Sequence, residues 1–206
     1  VTNGIATIKL KSTTRTGAMS VSCYGQNMTT QTVTIQSVAG PASKLLLTPN
    51  PYNLSPDLIA DGNSTLTLTI KVLDAYNNLA TQYAVPITLN IIGEGTWQDG
   101  TVEKSIVVPI TGVATISLRS TSKSGPITIS GTSIGLQSGT TGLMTIPGMA
   151  TKLTVEIVNP KLKLPVIGSD ETRFKVQVED YNGNVVLTEP RNIQIELQNT
   201  KSELVT

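Results

Sequence analysis

The chain has 206 residues, 15 of them basic and 14 acidic, a formal net charge of +1, no histidine and one cysteine. That balance gives no electrostatic attraction to nucleic acid or to an anionic membrane surface. The residue inventory also excludes Ser-His and Cys-His catalysis, an internal disulfide and a cysteine-based zinc site. Charged residues make up 14% of the chain, well below the roughly 25% of ordinary soluble domains. Thr, Ser, Asn and Gln fill the polar positions instead, a composition common on secreted walls and fibres. No apolar run reaches the roughly 18 residues of a membrane helix.

In chain order, the first segment is GIATIKLKSTTRTG, Gly4 to Gly17, and it returns as GVATISLRSTSKSG, Gly112 to Gly125. Eight of these fourteen positions are identical, and five more are Ile/Val, Lys/Arg or Thr/Ser exchanges. MSVSCYG follows, with Met19, Val21 and Cys23 in one phase, so Cys23 is expected to point into a core as a small hydrophobe. The stretch Val38–Lys44 contains Gly but is too short for a floppy linker. Pro49-Asn50-Pro51 is expected to end the next strand and blunt its edge, and Asn159-Pro160 falls at the matching place later.

STLTLTIKVLDAYNN then alternates Leu66, Leu68, Ile70 and Val72 with Thr65, Thr67, Thr69 and Lys71. A strand sends successive side chains to opposite faces, so one face is apolar and one polar. The run ends in Asp74, Asn77 and Asn78, which are turn residues. ATISLR places Ala114, Ile116 and Leu118 inward. RFKVQVEDYNGN does the same with Phe174, Val176 and Val178, and NIQIELQ with Ile193, Ile195 and Leu197. No helical stripe exceeds two turns. The pattern predicts an all-β fold of half-solvated antiparallel sheets in immunoglobulin-like sandwiches.

The offset between the two copies, 112 − 4 = 108, continues: Met19 and Val21 map onto Ile127 and Ile129, and Ala42–Leu45 onto Ala150–Leu153. After a two-residue gap, Asp74 pairs with Asp180 and Asn78 with Asn184. A period near 108 is one immunoglobulin-sized domain of about 100 residues. The reading is therefore partial, complete, partial: 1–40 the last strands of one repeat, 41–150 a whole repeat, and 151–206 the first strands of a third. Because the chain starts at Val1 and in mid-repeat, it is expected to be a segment of a longer, processed protein. The alternative is that 151–206 of one chain completes 1–40 of the next in a head-to-tail filament.

Residues 59 to 131 carry a family pattern. It runs through Ala60-Asp61-Gly62, the alternating strand, the turn Val72-Leu73-Asp74-Ala75-Tyr76-Asn77-Asn78, then Gly112-Val113-Ala114 and a Thr/Ser-rich segment ending in Gly. The later copy of the turn is Val178-Glu179-Asp180-Tyr181-Asn182-Gly183-Asn184. This order resembles the bacterial immunoglobulin-like repeats of the invasin and intimin type. Asn77 stands where that family has Gly, and Asn tolerates the same left-handed conformation. The resemblance implies a rigid extracellular spacer or lattice module in outer-membrane adhesins or surface-layer proteins, with no catalysis.

The chemistry-bearing residues are few. Asp180, Asn182 and Asn184 place oxygen ligands at alternate positions, as at the start of a calcium loop. The competing reading is a turn whose side chains bond their own backbone, and the same choice applies to Asp74, Asn77 and Asn78. Glycosylation sequons begin at Asn27, Asn53 and Asn63, each in an expected loop. Trp97, in GEGTWQDG, either lids one end of a sandwich or contacts a partner at the surface. Glu94 and Asp99 flank it, but no aromatic platform accompanies them for glycoside hydrolysis. The expected function is thus structural and non-enzymatic. The first choice is a segment of a surface-layer lattice protein at the cell surface, and its partners are copies of itself or neighbouring surface domains, without nucleic acid or membrane insertion. No cofactor is expected beyond calcium. The alternatives are the stalk of an adhesin, or an accessory module of a secreted polysaccharide enzyme.

Overall fold

The structure, a computed structural model, describes residues 3–50, 58–106, 111–158, 172–188 and 190–196. Their regular structure is all β, with no helix among the described residues. The chain divides into two compact units, Val1–Ile146 and Pro147–Thr206. No described helix is long and apolar enough to cross a membrane.

The first unit opens with the hairpin β1 (Gly17–Cys23) and β2 (Gln31–Ser37), paired antiparallel in a two-stranded sheet. A sandwich follows. One sheet takes the order β3-β5-β9-β7, built from β3 (Ala42–Asn50), β5 (Thr65–Asp74), β9 (Val113–Ser120) and β7 (Gly95–Trp97). The other takes the order β4-β11-β10-β6-β8, from β4 (Leu58–Ile59), β11 (Gly139–Ile146), β10 (Gly125–Thr132), β6 (Ile87–Gly93) and β8 (Glu103–Ile106). The β4–β11 pair is parallel, and the other ladders are antiparallel.

The alternation of the sequence becomes the core. Leu66, Leu68, Ile70 and Val72 of β5 are buried, as are Leu45 and Leu47 of β3. Across the sandwich they meet Ile87, Leu89 and Ile91 of β6 and Ile127 and Ile129 of β10. Pro49 lies near the end of β3, an edge strand, where its missing N–H is tolerated. Gly93 closes β6 with φ at 104° and stands opposite Ile127. A Cβ there would collide with the carbonyl oxygen of Pro126. Gly93→Ala is expected to destabilise the sandwich by more than about 1 kcal/mol, because strain and collision add; urea denaturation measures it.

The second unit holds β12 (Ala150–Ile157) and β13 (Phe174–Asp180). Its register copies that of β3 and β5. Leu45 faces Val72 as Leu153 faces Val178, and the irregularity between Ala42 and Lys44 returns between Ala150 and Lys152. The hairpins repeat as well. The Thr145 hydroxyl donates to the Lys123 carbonyl at 3.1 Å, and the Ser37 hydroxyl donates to the Arg15 carbonyl at the same distance.

Four expectations are corrected. Cys23 is exposed, because β1 pairs with β2 alone among the described residues and nothing described covers that end of its face. Residues 5–12, which correspond to β9, form no strand, and Ile5, Ile8 and Leu10 are exposed. Phe174 lies in β13 as expected, but its side chain is exposed. Ile193 and Ile195 lie outside any strand and are also exposed. Leu197, Pro51 and Asn159-Pro160 fall outside the described residues.

Candidate functional site

The densest polar constellation forms where β5 ends. Asn77 takes the left-handed conformation, φ 70°, so the chain reverses at once after Asp74. The Asp74 N–H donates to the Asn78 carbonyl at 2.9 Å, which closes the loop. The loop points the Asp74 carboxylate back across its own amides. Oδ1 accepts the N–H groups of Tyr76 at 2.8 Å and Asn78 at 2.9 Å. Oδ2 accepts the Asn78 amide, Nδ2, at 2.9 Å and the N–H of Gly40 at 3.0 Å. The Asn78 side chain, the largest influence, joins with these backbone donors to hold the Asp74 carboxyl at about 2, although burial opposes the shift.

Asn78 reaches the other way too. Its Nδ2 donates to the Thr14 carbonyl at 2.9 Å, and its Oδ1 accepts the Thr16 N–H at 3.3 Å. One Asp–Asn pair therefore ties three parts of the first unit together: the end of β5, the segment entering β1, and Gly40 between hairpin and sandwich. A cleft of about 320 Å³ lies beside it, between Val38–Ala42 and Ala80–Tyr83.

The second unit repeats the device. Asp180 Oδ1 accepts the Asn184 N–H at 2.8 Å, and Oδ2 accepts Asn184 Nδ2 at 2.9 Å and the Gly148 N–H at 2.8 Å. Gly183, φ 88°, turns the chain where Asn77 does in the first unit. Burial raises the Asp180 pKa, but the bonds from Asn184, Gly148 and Asn182 outweigh it and hold the carboxyl below its usual range. The structure thus brings Asp180, Asn182 and Asn184 together, with both carboxylate oxygens engaged by N–H donors.

The remaining sequence candidates scatter. Trp97 is fully buried in the sandwich core, so it is not a surface contact. The reason is β7: three residues pair with the end of β9, Trp97 opposite Leu118, and this edge turns the indole inward. Glu94 accepts the Thr121 hydroxyl at 2.6 Å. Asp99 is ion-paired with Lys104 at 2.8 Å and accepts from Thr101, and both interactions hold its carboxyl well below the usual range, with the Lys104 bond first. Asn27 is exposed in a turn and Asn63 is exposed in the loop before β5, and Asn53 lies outside the described residues. Among the described residues no group of three or more Cys, Asp and Glu stands together as a metal cage.

Sequence reasoning found both turns but not what they hold. The signal was there: Gly40 recurs at Gly148 and Asp74 at Asp180, so donor and acceptor repeat together. Two stacked β-sheets with this connectivity, followed by a copied strand pair, define an immunoglobulin-like β-sandwich protein. No protein-family model matches the chain, and no curated protein matches it in sequence. Among solved structures, a β-glucuronidase of glycoside hydrolase family 2 is similar with a TM-score of 0.46 and 20% identity, over 65% of this chain and 14% of that one. A family 2 glycosyl hydrolase from Bacteroides cellulosilyticus gives 0.45 and 18%, over 63% and 17%. FdeC, an Escherichia coli adhesin, gives 0.42 and 19%, over 82% and 52%. The chain spans about half of FdeC and under a fifth of the two hydrolases.

Proposed function

We propose that this chain is a non-catalytic structural segment of a large extracellular protein, in which tandem sandwiches over 1–40, 41–150 and 151–206 act as stiff spacers. The observation that carries this reading is the Asp–Asn clamp. A carboxylate that spends one acceptor on the glycine between two modules resists bending at that glycine, and the second unit repeats the bond at Gly148. The residues that engage the carboxylates do work in orientation rather than in reaction. Of the two settings for such a spacer, the adhesin stalk needs stiffness along one axis only, which is what the clamp supplies. A surface-layer lattice needs lateral contacts as well. In either setting Asn27 and Asn63 stand open for glycans, and a calcium ion at Asp180, Asn182 and Asn184 would have to displace the bonds described above.

Asn78→Ala tests the spacer role. It removes both links to Thr14 and Thr16 while leaving the core intact. Amide exchange at Thr16 and Gly40 is expected to quicken about tenfold, and small-angle scattering should show a broader distribution of lengths. Unchanged exchange at both amides would sink the spacer reading. Immunogold tomography of the source cells then separates the settings: sparse labelling along thin stalks supports the adhesin, and a periodic coat supports the lattice.

A further inference from the structure

We infer that Asn27 is an N-glycan acceptor which the folded chain presents, whereas Asn63, with an equally complete sequon, accepts a glycan only before β5 forms. Both side chains are exposed. What separates them is the backbone that carries each triplet.

Asn27 lies in the loop that leaves the β1–β2 ladder at the pair Cys23–Gln31. The complete sandwich holds the matching loop between β10 and β11, closed by the pair Gly131–Gly139. The repeat offset takes Asn27 to Gly135, and the turn is copied. Asn27 has φ 59° and Gly135 φ 77°. The Met28 N–H donates to the Gly25 carbonyl at 3.1 Å, as the Leu136 N–H donates to the Ser133 carbonyl at 3.3 Å. With both sheets of the sandwich in place, this tip stays open. Ile134 is 87% exposed, Gly135 and Gln137 are exposed, and a Cβ on Gly135 would meet nothing within 4 Å. The openness of Asn27 is therefore a property of the turn and not of what surrounds the hairpin. The left-handed conformation calls for Asn or Gly. It does not call for Thr29, whose counterpart is Gln137, so the turn accounts for the first residue of the sequon and not for the third.

The transfer joins the Asn27 amide nitrogen to the anomeric carbon of an oligosaccharide. The bond from that carbon to the diphosphate of its lipid carrier breaks, the carrier leaves as the diphosphate, and the amide releases one proton to water. The transferase has to hold the Asn amide and the Thr hydroxyl together, which bends the triplet away from the protein. At Asn27 this disturbs one turn bond, from Met28 to Gly25, and Thr29 lies outside the ladder. At Asn63 the triplet is already the start of a strand. The Ser64 N–H at 2.6 Å and its hydroxyl at 3.0 Å donate to the Asp61 carboxylate. The Ser64 carbonyl accepts the Ser120 N–H at 2.9 Å, and Thr65 pairs with Arg119 of β9. Bending this triplet unzips the start of β5.

The inference rests on the extracellular reading for the supply of transferase and lipid-linked sugar. Acceptor rates test it without regard to spacer stiffness, so either reading can fail alone. The test takes a purified oligosaccharyltransferase that modifies the free peptides 22–32 and 60–68 and offers it the folded 206-residue chain with a lipid-linked oligosaccharide. Fragmentation in the mass spectrometer places each glycan on its residue. Asn27 is expected to react at the rate of its free peptide, and Asn63 about tenfold or more below its own, because transfer there waits on local opening. Thr29→Ala should abolish the reaction at Asn27, with Trp97 fluorescence confirming that the sandwich stays folded. Three outcomes overturn the inference: a folded chain unmodified at Asn27, an Asn63 that reacts as fast in the chain as in its peptide, or an Asn27 that still reacts in Thr29→Ala.

Discussion

Trp97→Ala is expected to remove about 3–5 kcal/mol of stability from the sandwich. The indole is the largest fully buried side chain among the described residues, and it fills the core against residues of both sheets. Truncating it leaves a cavity that short β7 cannot close, because the Trp97 backbone is fixed on both sides: its N–H donates to the Thr101 carbonyl and its carbonyl accepts the Gly100 N–H, each at 2.8 Å. Against a typical stability of 5–15 kcal/mol for a domain, this one change removes a large share. Trp97→Phe separates the causes. It keeps much of the volume and deletes the indole N–H, which has no hydrogen-bond partner among the described residues, so its loss should be less than half that of alanine. Urea unfolding of both variants, read by circular dichroism, measures the difference; equal losses would show that the indole volume is not what matters.

The second large effect belongs to Asp74. Asp74→Ala leaves the N–H groups of Gly40, Tyr76 and Asn78 without their acceptor. These donors lie at the part-buried rim of the turn, where water can take over part of the lost acceptor, so the melting temperature is expected to fall by roughly 5 °C. The pH dependence has a definite sign. The folded carboxyl sits at about 2, below its ordinary 3.8. A depressed carboxyl contributes stability that is fully present above the unfolded value and is lost as pH falls through the folded one. The wild type should therefore hold its stability down to about pH 4 and lose it toward pH 2. Asp61, Asp99, Glu179 and Asp180 are shifted in the same direction. Asp74→Asn consequently removes only part of the slope, and thermal melts from pH 5 to pH 2 read that part as the difference from wild type. Superimposable profiles would mean the carboxylate does not act through its charge.

Much of this fold was legible in the residues. The alternation from Leu66 to Val72 is a direct print of the strand pleat, and those residues are the buried ones. The repeat was legible for the same reason: the turn after β5 and the turn after β13 are written in the same letters and fold in the same way. The site was half legible. Asp74, Asn77 and Asn78 are turn residues on any reading, but the Gly40 donor lies 34 residues away and Thr14 lies 64 residues away. No local pattern connects such partners. Trp97 shows the limit from the other side. Its neighbours, two glycines and an acidic turn, are those of a surface loop, and a three-residue strand pairing with β9 is too short to be seen in the letters.

By itself the sequence determined the class of fold, the period of the repeat and which face of each strand is apolar, because all three depend on alternation and turn chemistry within a few residues. The tertiary structure decided which faces are covered. Ile129 and Val21 hold matching places in the repeat, yet Ile129 is fully buried and Val21 is not. Cys23 and Phe174 are exposed in phases that read as core. A side chain's phase is fixed by its own strand; its burial depends on a second sheet that arrives from elsewhere in the chain, and only the packed structure shows whether one has arrived.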